Sequence, residues 1–388
     1  VKKINVIPLL LLPTLIVIGN SMYIPLIPFM QESYNLSQSG GAWLLSLFTL
    51  AGVLCIPIGQ LMAQKITIKK TIQISCVVVL IGAALSSLEI EKSSLCLVVV
   101  GRTLMGAGAG SVTALTYMYT ALYVETIEKK RVFGFLEQSN GLAKMVSPLL
   151  GSLLIYVGWS YAPFVLFVIA IVSLCFIPKL KEPKRVEKTK AKQVSAKKTR
   201  NDFVRIISDF SLSLSHLFLL YGLLFYASYH FSFIGMIPAV KGILLGLPFL
   251  VMVTTASLSR KITLNKQMTI KVGMMTLLLI ASCVFFFVPS SVILLCFYLC
   301  VIGTSAGVAL PLASNNLANI ENELFRSRIV AGLTMARFIG IATAPLFYGR
   351  WMQKEGLVEL FGLMFTVLAC LLVFLPNFRQ MIQRITQK

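Results

Sequence analysis

Apolar residues come in long blocks along this chain, each separated from the next by a short polar or basic stretch. The first block runs from Ile4 to Met30 without a charged residue. A block of that length predicts a membrane-crossing helix, because the hydrocarbon core of a bilayer takes about 20 apolar residues in helical form. It is too long for a signal-peptide core and lacks a small-x-small cleavage pattern. The remaining blocks complete a series of spans at 6–30, 41–62, 72–88, 95–119, 132–156 and 161–178, then 206–236, 242–258, 268–288, 291–316, 329–349 and 356–375. Between the sixth and seventh lies KLKEPKRVEKTKAKQVSAKKTRNDFVR, which is strongly basic and has almost nothing apolar to bury. The expected fold is an all-α polytopic membrane protein. Residues 1–178 form one six-helix bundle, 179–205 a basic cytosolic linker, and 206–388 a second six-helix bundle with a cytosolic tail.

Composition agrees with that pattern. The 388 residues are 57% hydrophobic and 13% charged, with a mean hydropathy of +0.85. A soluble globular chain is about 25% charged, so an ordinary cytosolic enzyme is excluded, and so is a disordered scaffold. The net charge of +21 would suggest nucleic acid in a soluble protein. Here the basic residues cluster in alternate connections: Lys2 and Lys3; Lys65, Lys69 and Lys70; Lys129, Lys130 and Arg131; the linker; Arg260, Lys261, Lys266 and Lys271; Arg326 and Arg328; Arg379, Arg384 and Lys388. The opposite side keeps Lys92, Lys241, Arg350 and Lys354. The positive-inside rule then places both termini in the cytosol of a cell whose plasma membrane holds the protein. Trp43, Trp159 and Trp351 all fall at the outer interface in that topology, where an indole sits well at headgroup depth. The basic charge is topology, and no nucleic-acid partner is expected.

The halves are related. Sliding the sequence by 197 residues superposes Gly106 on Gly303, Gly110 on Gly307, Ala121 on Ala318, Arg131 on Arg328, and Pro148-Leu149 on Pro345-Leu346, without a gap. A parallel repeat with a site near the midplane between halves is a secondary-transporter design.

Candidate chemistry is sparse. The eight cysteines lie inside apolar runs; Cys296 and Cys300 are one helical turn apart but have no His, Asp or Glu beside them. His216 and His230 cannot build a metal centre alone, and no Gly-x-x-x-x-Gly-Lys-Ser/Thr loop is present. No metal, cofactor or intrinsic ATPase is expected. Arg102 lies about 8 residues inside span 4, roughly 12 Å deep, where a guanidinium is costly unless paired or hydrated. It has two readings, a structural donor to backbone carbonyls or a functional cation. On span 5, Glu137 and Lys144 share a face about 10.5 Å apart, two turns along. Glu137 is the only carboxylate well within a span, with Asp209 and Glu359 at span ends. It reads as a proton carrier or as the fixed counter-ion of a basic group. Arg337 in span 11 is a third intramembrane cation. Tyr226, Tyr229, His230 and Phe233 share one face of span 7, as packing or as the wall of a ligand cavity. Asn20 and Tyr23 form a polar patch in span 1, with Pro25 and Pro28 bending the helix beyond them.

Six plus six spans, the central basic loop, Arg102-x-x-x-Gly106-x-Gly108-x-Gly110, and Gly141 leading to Ser147-Pro148-Leu-Leu-Gly151-Ser152 together resemble the major facilitator superfamily. The span-4 and span-5 motifs are similar to those of its proton-driven drug exporters. The resemblance implies alternating access, with Arg102 in proton coupling and the Gly/Pro kink of span 5 in exporter behaviour. Alongside Arg102, the lone carboxylate Glu137 is the candidate for the proton, and Gly106, Gly110, Gly141, Pro148, Gly151 and Pro345 are the candidates for helix packing and kinking. Asn20, Tyr23, Lys144, Tyr226, Tyr229, His230 and Arg337 are the candidate substrate contacts. Two departures stand out: Ser147 replaces the usual glycine, and Ala63-Gln64 stand where the loop after span 2 carries an aspartate. Three buried cations against one carboxylate favour a zwitterionic or anionic substrate, such as an opine-type metallophore or an antibiotic. The expectation is a monomeric proton-coupled exporter of a small organic molecule. The alternatives are a proton-driven importer of an anionic nutrient and, with no supporting catalytic cluster, an intramembrane enzyme.

Overall fold

A computed structural model describes residues 7–88, 94–124, 126–180, 200–259, 267–287, 291–318, 323–354, 356–368 and 370–371. Its helices are α1 (Ile7–Ser33), α2 (Gln38–Lys65), α3 (Ile68–Ser87), α4 (Leu95–Tyr123), α5 (Thr126–Val157) and α6 (Ala162–Phe176). They continue with α7 (Arg200–Phe233), α8 (Pro238–Ser259), α9 (Gln267–Phe287), α10 (Val292–Ala318), α11 (Glu323–Trp351) and α12 (Leu357–Leu368). Among the described residues nine helical segments are long and apolar enough to cross a membrane, and α9 and α12 hold shorter apolar stretches. Each of the twelve spans read from the sequence has its helix. Most of the basic linker, and Lys92, Arg260, Lys261, Lys266, Arg379, Arg384 and Lys388, lie outside the described residues.

Local chemistry explains where the helices start and break. Ser37 accepts from the Gly40 N–H at the head of α2, and Thr67 from the Lys70 N–H at the head of α3, each satisfying an orphan donor. The α1 segment is not one continuous helix. It runs as Ile7–Leu11 and Thr14–Ser21, then a 3₁₀ turn at Ile24–Leu26, then Ile27–Ser33. Pro25 and Pro28 sit in the first turns of the last two pieces, where a missing N–H leaves no bond unmade. At the other end of unit 1, the Lys69 ammonium bonds the carbonyls of Pro178 (3.0 Å) and Leu180 (2.9 Å), closing the turn that ends α6.

The chain divides into two compact units. Unit 1 comprises Val1–Glu187 with Ser228–Gly246; unit 2 comprises Lys188–Ala227 with Leu247–Lys388. In unit 1, α4 packs most closely against α2 and α3. That closeness depends on glycine: a Cβ on Gly106 would strike the Phe48 carbonyl of α2, and one on Gly110 would strike Gly52. In unit 2, Gly303 abuts the Pro248 carbonyl and Gly307 the Met252 carbonyl, both on α8. The 197-residue repeat is therefore a repeat of packing, with small residues letting two backbones touch at equivalent places in both units. On the outside of α2, Leu54, Ile58 and Leu61 are 69%, 53% and 59% exposed at i, i+4, i+7 spacing. Such a stripe suits lipid rather than water.

Candidate functional site

Arg102 is a deeply buried charge of unit 1, 1% exposed in the N-terminal third of α4. Its Nε donates to the Leu44 carbonyl of α2 at 2.7 Å. The guanidinium carbon stands 3.8 Å from the centroid of the Tyr23 ring and 5.4 Å from that of Phe48. Two aromatic faces and one carbonyl thus hold a cation that lacks a carboxylate among these contacts. Neither Nη1 nor Nη2 meets an acceptor in hydrogen-bonding geometry. Tyr23 and Asn20, 1% and 5% exposed, occupy the end of the second piece of α1 and the break that follows it. The structure brings Arg102 and Tyr23 together as sequence depth alone could not.

Glu137 is different from its sequence-based picture. It is exposed on α5, and its Oε1 accepts from the Tyr117 hydroxyl of α4 at 3.0 Å. Asn140 Nδ2 donates in turn to Tyr117 Oη at 2.7 Å. Among the described residues the buried carboxylates are the two assigned to span ends, Asp209 (1% exposed) and Glu359 (8%). Helix rotation accounts for the difference: sequence gives depth along the axis and says little about which face meets the interior. Lys144 is half-buried one turn before Pro148. Pro148 has no N–H for the Lys144 carbonyl, and the Ser147 hydroxyl contacts it at 3.4 Å while also donating to the Ala143 carbonyl. Ser147, the departure from glycine, thus tends the backbone beside Pro148. Gly141 is buried in the same helix, and a Cβ on Gly151 would strike the Met22 carbonyl at the α1 break.

The span-7 face is divided. Tyr229 and His230 belong to unit 1 and are half-buried; Tyr226 belongs to unit 2, where it meets Phe285 edge-on at 6.3 Å. Phe233, expected on the same face, is 90% exposed and lines no cavity. In unit 2 Arg337 Nη2 donates to the Leu310 carbonyl (2.7 Å) and to Ser314 Oγ (2.9 Å), tying α11 to α10. Pro345 lies inside α11. His216 is fully buried, its Nδ1 2.8 Å from the Leu212 carbonyl and its Nε2 2.8 Å from Ser305 Oγ. A carbonyl only accepts, so Nδ1 carries the hydrogen.

Lys241 is the residue the sequence reading misplaced most. Counted there as a cation of the outer connections, it lies on the first turn of α8 and is 1% exposed. Its Nζ donates to the Pro25 carbonyl and to Ser232 Oγ, while Ser228 Oγ donates to the Ile24 carbonyl. The signal was present as a lone lysine opening the apolar run KGILLGLPFLVMV.

Nine membrane-length apolar helical segments among the described residues, with duplicated glycine contacts and a few deeply buried cations, define a polytopic membrane protein. The profile of the Major Facilitator Superfamily matches residues 9–345, and the chain belongs to that family. It is 26% identical over 390 residues to the bacillibactin exporter of Bacillus subtilis (strain 168), covering 94% of this chain and 96% of that protein. Among solved structures, a D-xylose-proton symporter matches with a TM-score of 0.74 at 16% identity, over 97% of each chain. The human organic anion transporter MFSD10 (TETRAN) matches with a TM-score of 0.72 at 17% identity, over 95% of this chain and 98% of its own. The protein is thus a multi-pass membrane transporter rather than an enzyme.

Proposed function

We propose that this transporter is a proton-coupled secondary active exporter of a small anionic or zwitterionic metabolite, working by alternating access as a monomer in the plasma membrane. Its functional halves are the bundles 1–178 and 206–388, joined by the basic linker, with both termini cytosolic. The observation that carries the reading is Arg102. Its guanidinium is fully buried, faced by rings, and keeps two terminal nitrogens without an acceptor. A desolvated cation in that state favours an approaching negative group. Lys144 adds a second positive charge in the same unit. The direction of transport follows from the span-5 motif and from the relative named for exporting bacillibactin. A metallophore is the substrate type that fits both the charge and that relative; an antibiotic of like charge is the next choice.

Support for proton coupling comes from Glu137, an exposed carboxylate that accepts from the Tyr117 hydroxyl in the same unit as Arg102 and Lys144. The test has two parts. Secreted metabolites of a deletion strain and its complemented parent are compared without preselection, which identifies the cargo. Uptake of that cargo into inside-out vesicles is then driven by an imposed pH gradient. Uptake that stops when a protonophore collapses the gradient supports the reading. Uptake that ignores the gradient and depends on ATP overturns it.

A further inference from the structure

Unit 2 contains a small, mainly apolar pocket into which a few polar side chains project. It is lined by Leu223 of α7, Ser282 and Phe285 of α9, Tyr298 of α10, Tyr348 of α11, and Glu359 with its neighbours on α12. Glu359 is 8% exposed and Tyr348 is fully buried. Glu359 Oε2 has no hydrogen-bond donor and the Tyr348 hydroxyl has no acceptor. The other hydroxyls are occupied. Ser282 Oγ is 2.6 Å from Tyr298 Oη and 3.0 Å from Thr366 Oγ1, and Thr366 donates to the Gly362 carbonyl. One donor and one acceptor are therefore left facing the same small space.

We propose that Glu359 is a proton-binding site, with Tyr348 as its hydrogen-bond partner when the carboxyl is charged and when it is neutral. A phenol can donate to a carboxylate or accept from a carboxylic acid, so a rotation that joins these two unpartnered groups would satisfy the pair in either protonation state. The space between the lining side chains leaves no room for a water-sized occupant, which excludes a hydrated cation and admits a proton. The titratable groups facing the site are phenols: Tyr348, Tyr298, and Tyr226 from α7. Among the described residues no lysine, arginine or histidine lines the pocket. As a coupling site of the export cycle this assignment rests on the proton-coupled reading above.

Infrared difference spectra of the purified full-length protein in lipid, recorded through an acid titration, test it directly. The expected result is a protonated-carboxyl band that grows on acidification, disappears in Glu359→Gln, persists in Glu137→Gln, and shifts in Tyr348→Phe. An unchanged band in Glu359→Gln overturns the assignment. Should Glu359→Gln fail to insert, the Tyr348→Phe spectrum decides, since an unshifted band places the proton elsewhere. The outcomes separate the two readings. A parent that transports on a pH gradient while Glu359→Gln leaves the band intact loses this site only. A parent that ignores the gradient while the band vanishes in Glu359→Gln loses proton-coupled export and keeps the proton site.

Discussion

The Lys241 ammonium donates to the Pro25 carbonyl at 2.9 Å, joining the first turn of α8 to the break in α1. The same nitrogen donates to Ser232 Oγ at 2.6 Å and stands 5.4 Å from the Phe29 ring centroid. A carbonyl, a hydroxyl and a ring thus replace water around a buried cation. The break in α1 is what makes the carbonyl reachable, since Pro25 opens a new turn there.

Lys241→Met keeps the length of the side chain and removes the donors. Hydrogen bonds from a charged group are worth about 1.5–3 kcal/mol each, and the desolvation of the ammonium opposes them. The change in Tm is therefore expected to be small. The change in local opening should be large: Ser232→Cys should react faster with a hydrophilic maleimide in the Lys241→Met background than alone. Equal reaction rates would show that Lys241 does not hold this turn.

The duplicated glycine contacts predict matched effects in the two units. Gly106→Ala drives a methyl into the Phe48 carbonyl and Gly303→Ala into the Pro248 carbonyl. Backbone cannot swing aside as a side chain can, so each should destabilise by about 1–3 kcal/mol or more. Gly134→Ala on α5 meets nothing within 4 Å and should behave like the parent. Thermal unfolding in detergent, followed by fluorescence size-exclusion, ranks the three. A tolerant Gly303→Ala would break the equivalence of the repeats.

Much of this architecture is legible in the sequence because a bilayer makes strict demands. Apolar length pointed to α1 through α12, and the proline positions foretold the breaks in α1, whereas α5 and α11 run on as helix through Pro148 and Pro345. Rotation about each helix axis is another matter. Glu137 and Glu359 differ in the sequence chiefly by depth, and depth favoured Glu137 as the buried group. The structure exposes Glu137 and buries Glu359, because the neighbours that cover a side chain come from other helices. Lys241 was misplaced for the same reason: its partners, Pro25 and Ser232, come from two other helices. Arg102 was legible as a problem, a cation too deep to ignore, but its solution on the face of Tyr23 was not.

Tyr117 offers a test of what Glu137 does. Tyr117→Phe removes the hydroxyl that donates to Glu137 Oε1 and that accepts from Asn140. With Glu137 as proton carrier, Glu137→Gln should flatten the pH profile of transport, while Tyr117→Phe should displace the profile and keep its shape. A parent-like profile in both variants would reduce the Tyr117–Glu137 bond to a tie between α4 and α5.

Arg102 permits the sharpest substitution series. Its guanidinium is flat, bonds the Leu44 carbonyl through Nε, and lies 3.8 Å over the Tyr23 ring. Arg102→Lys keeps the charge and loses both the plane and the Nε donor. Stacking of a desolvated cation on an aromatic face contributes about 2 kcal/mol, so the lysine variant should fold less stably and transport poorly. Tyr23→Phe preserves the face and should retain most of the stability. Tyr23→Leu removes it and should resemble Arg102→Lys. A double variant, Tyr23→Leu with Arg102→Lys, should then be scarcely worse than either single change, because both remove one interaction. Additive losses in Tm across that cycle would mean that Arg102 and Tyr23 act independently, and the cation would owe its place to Leu44 and Phe48.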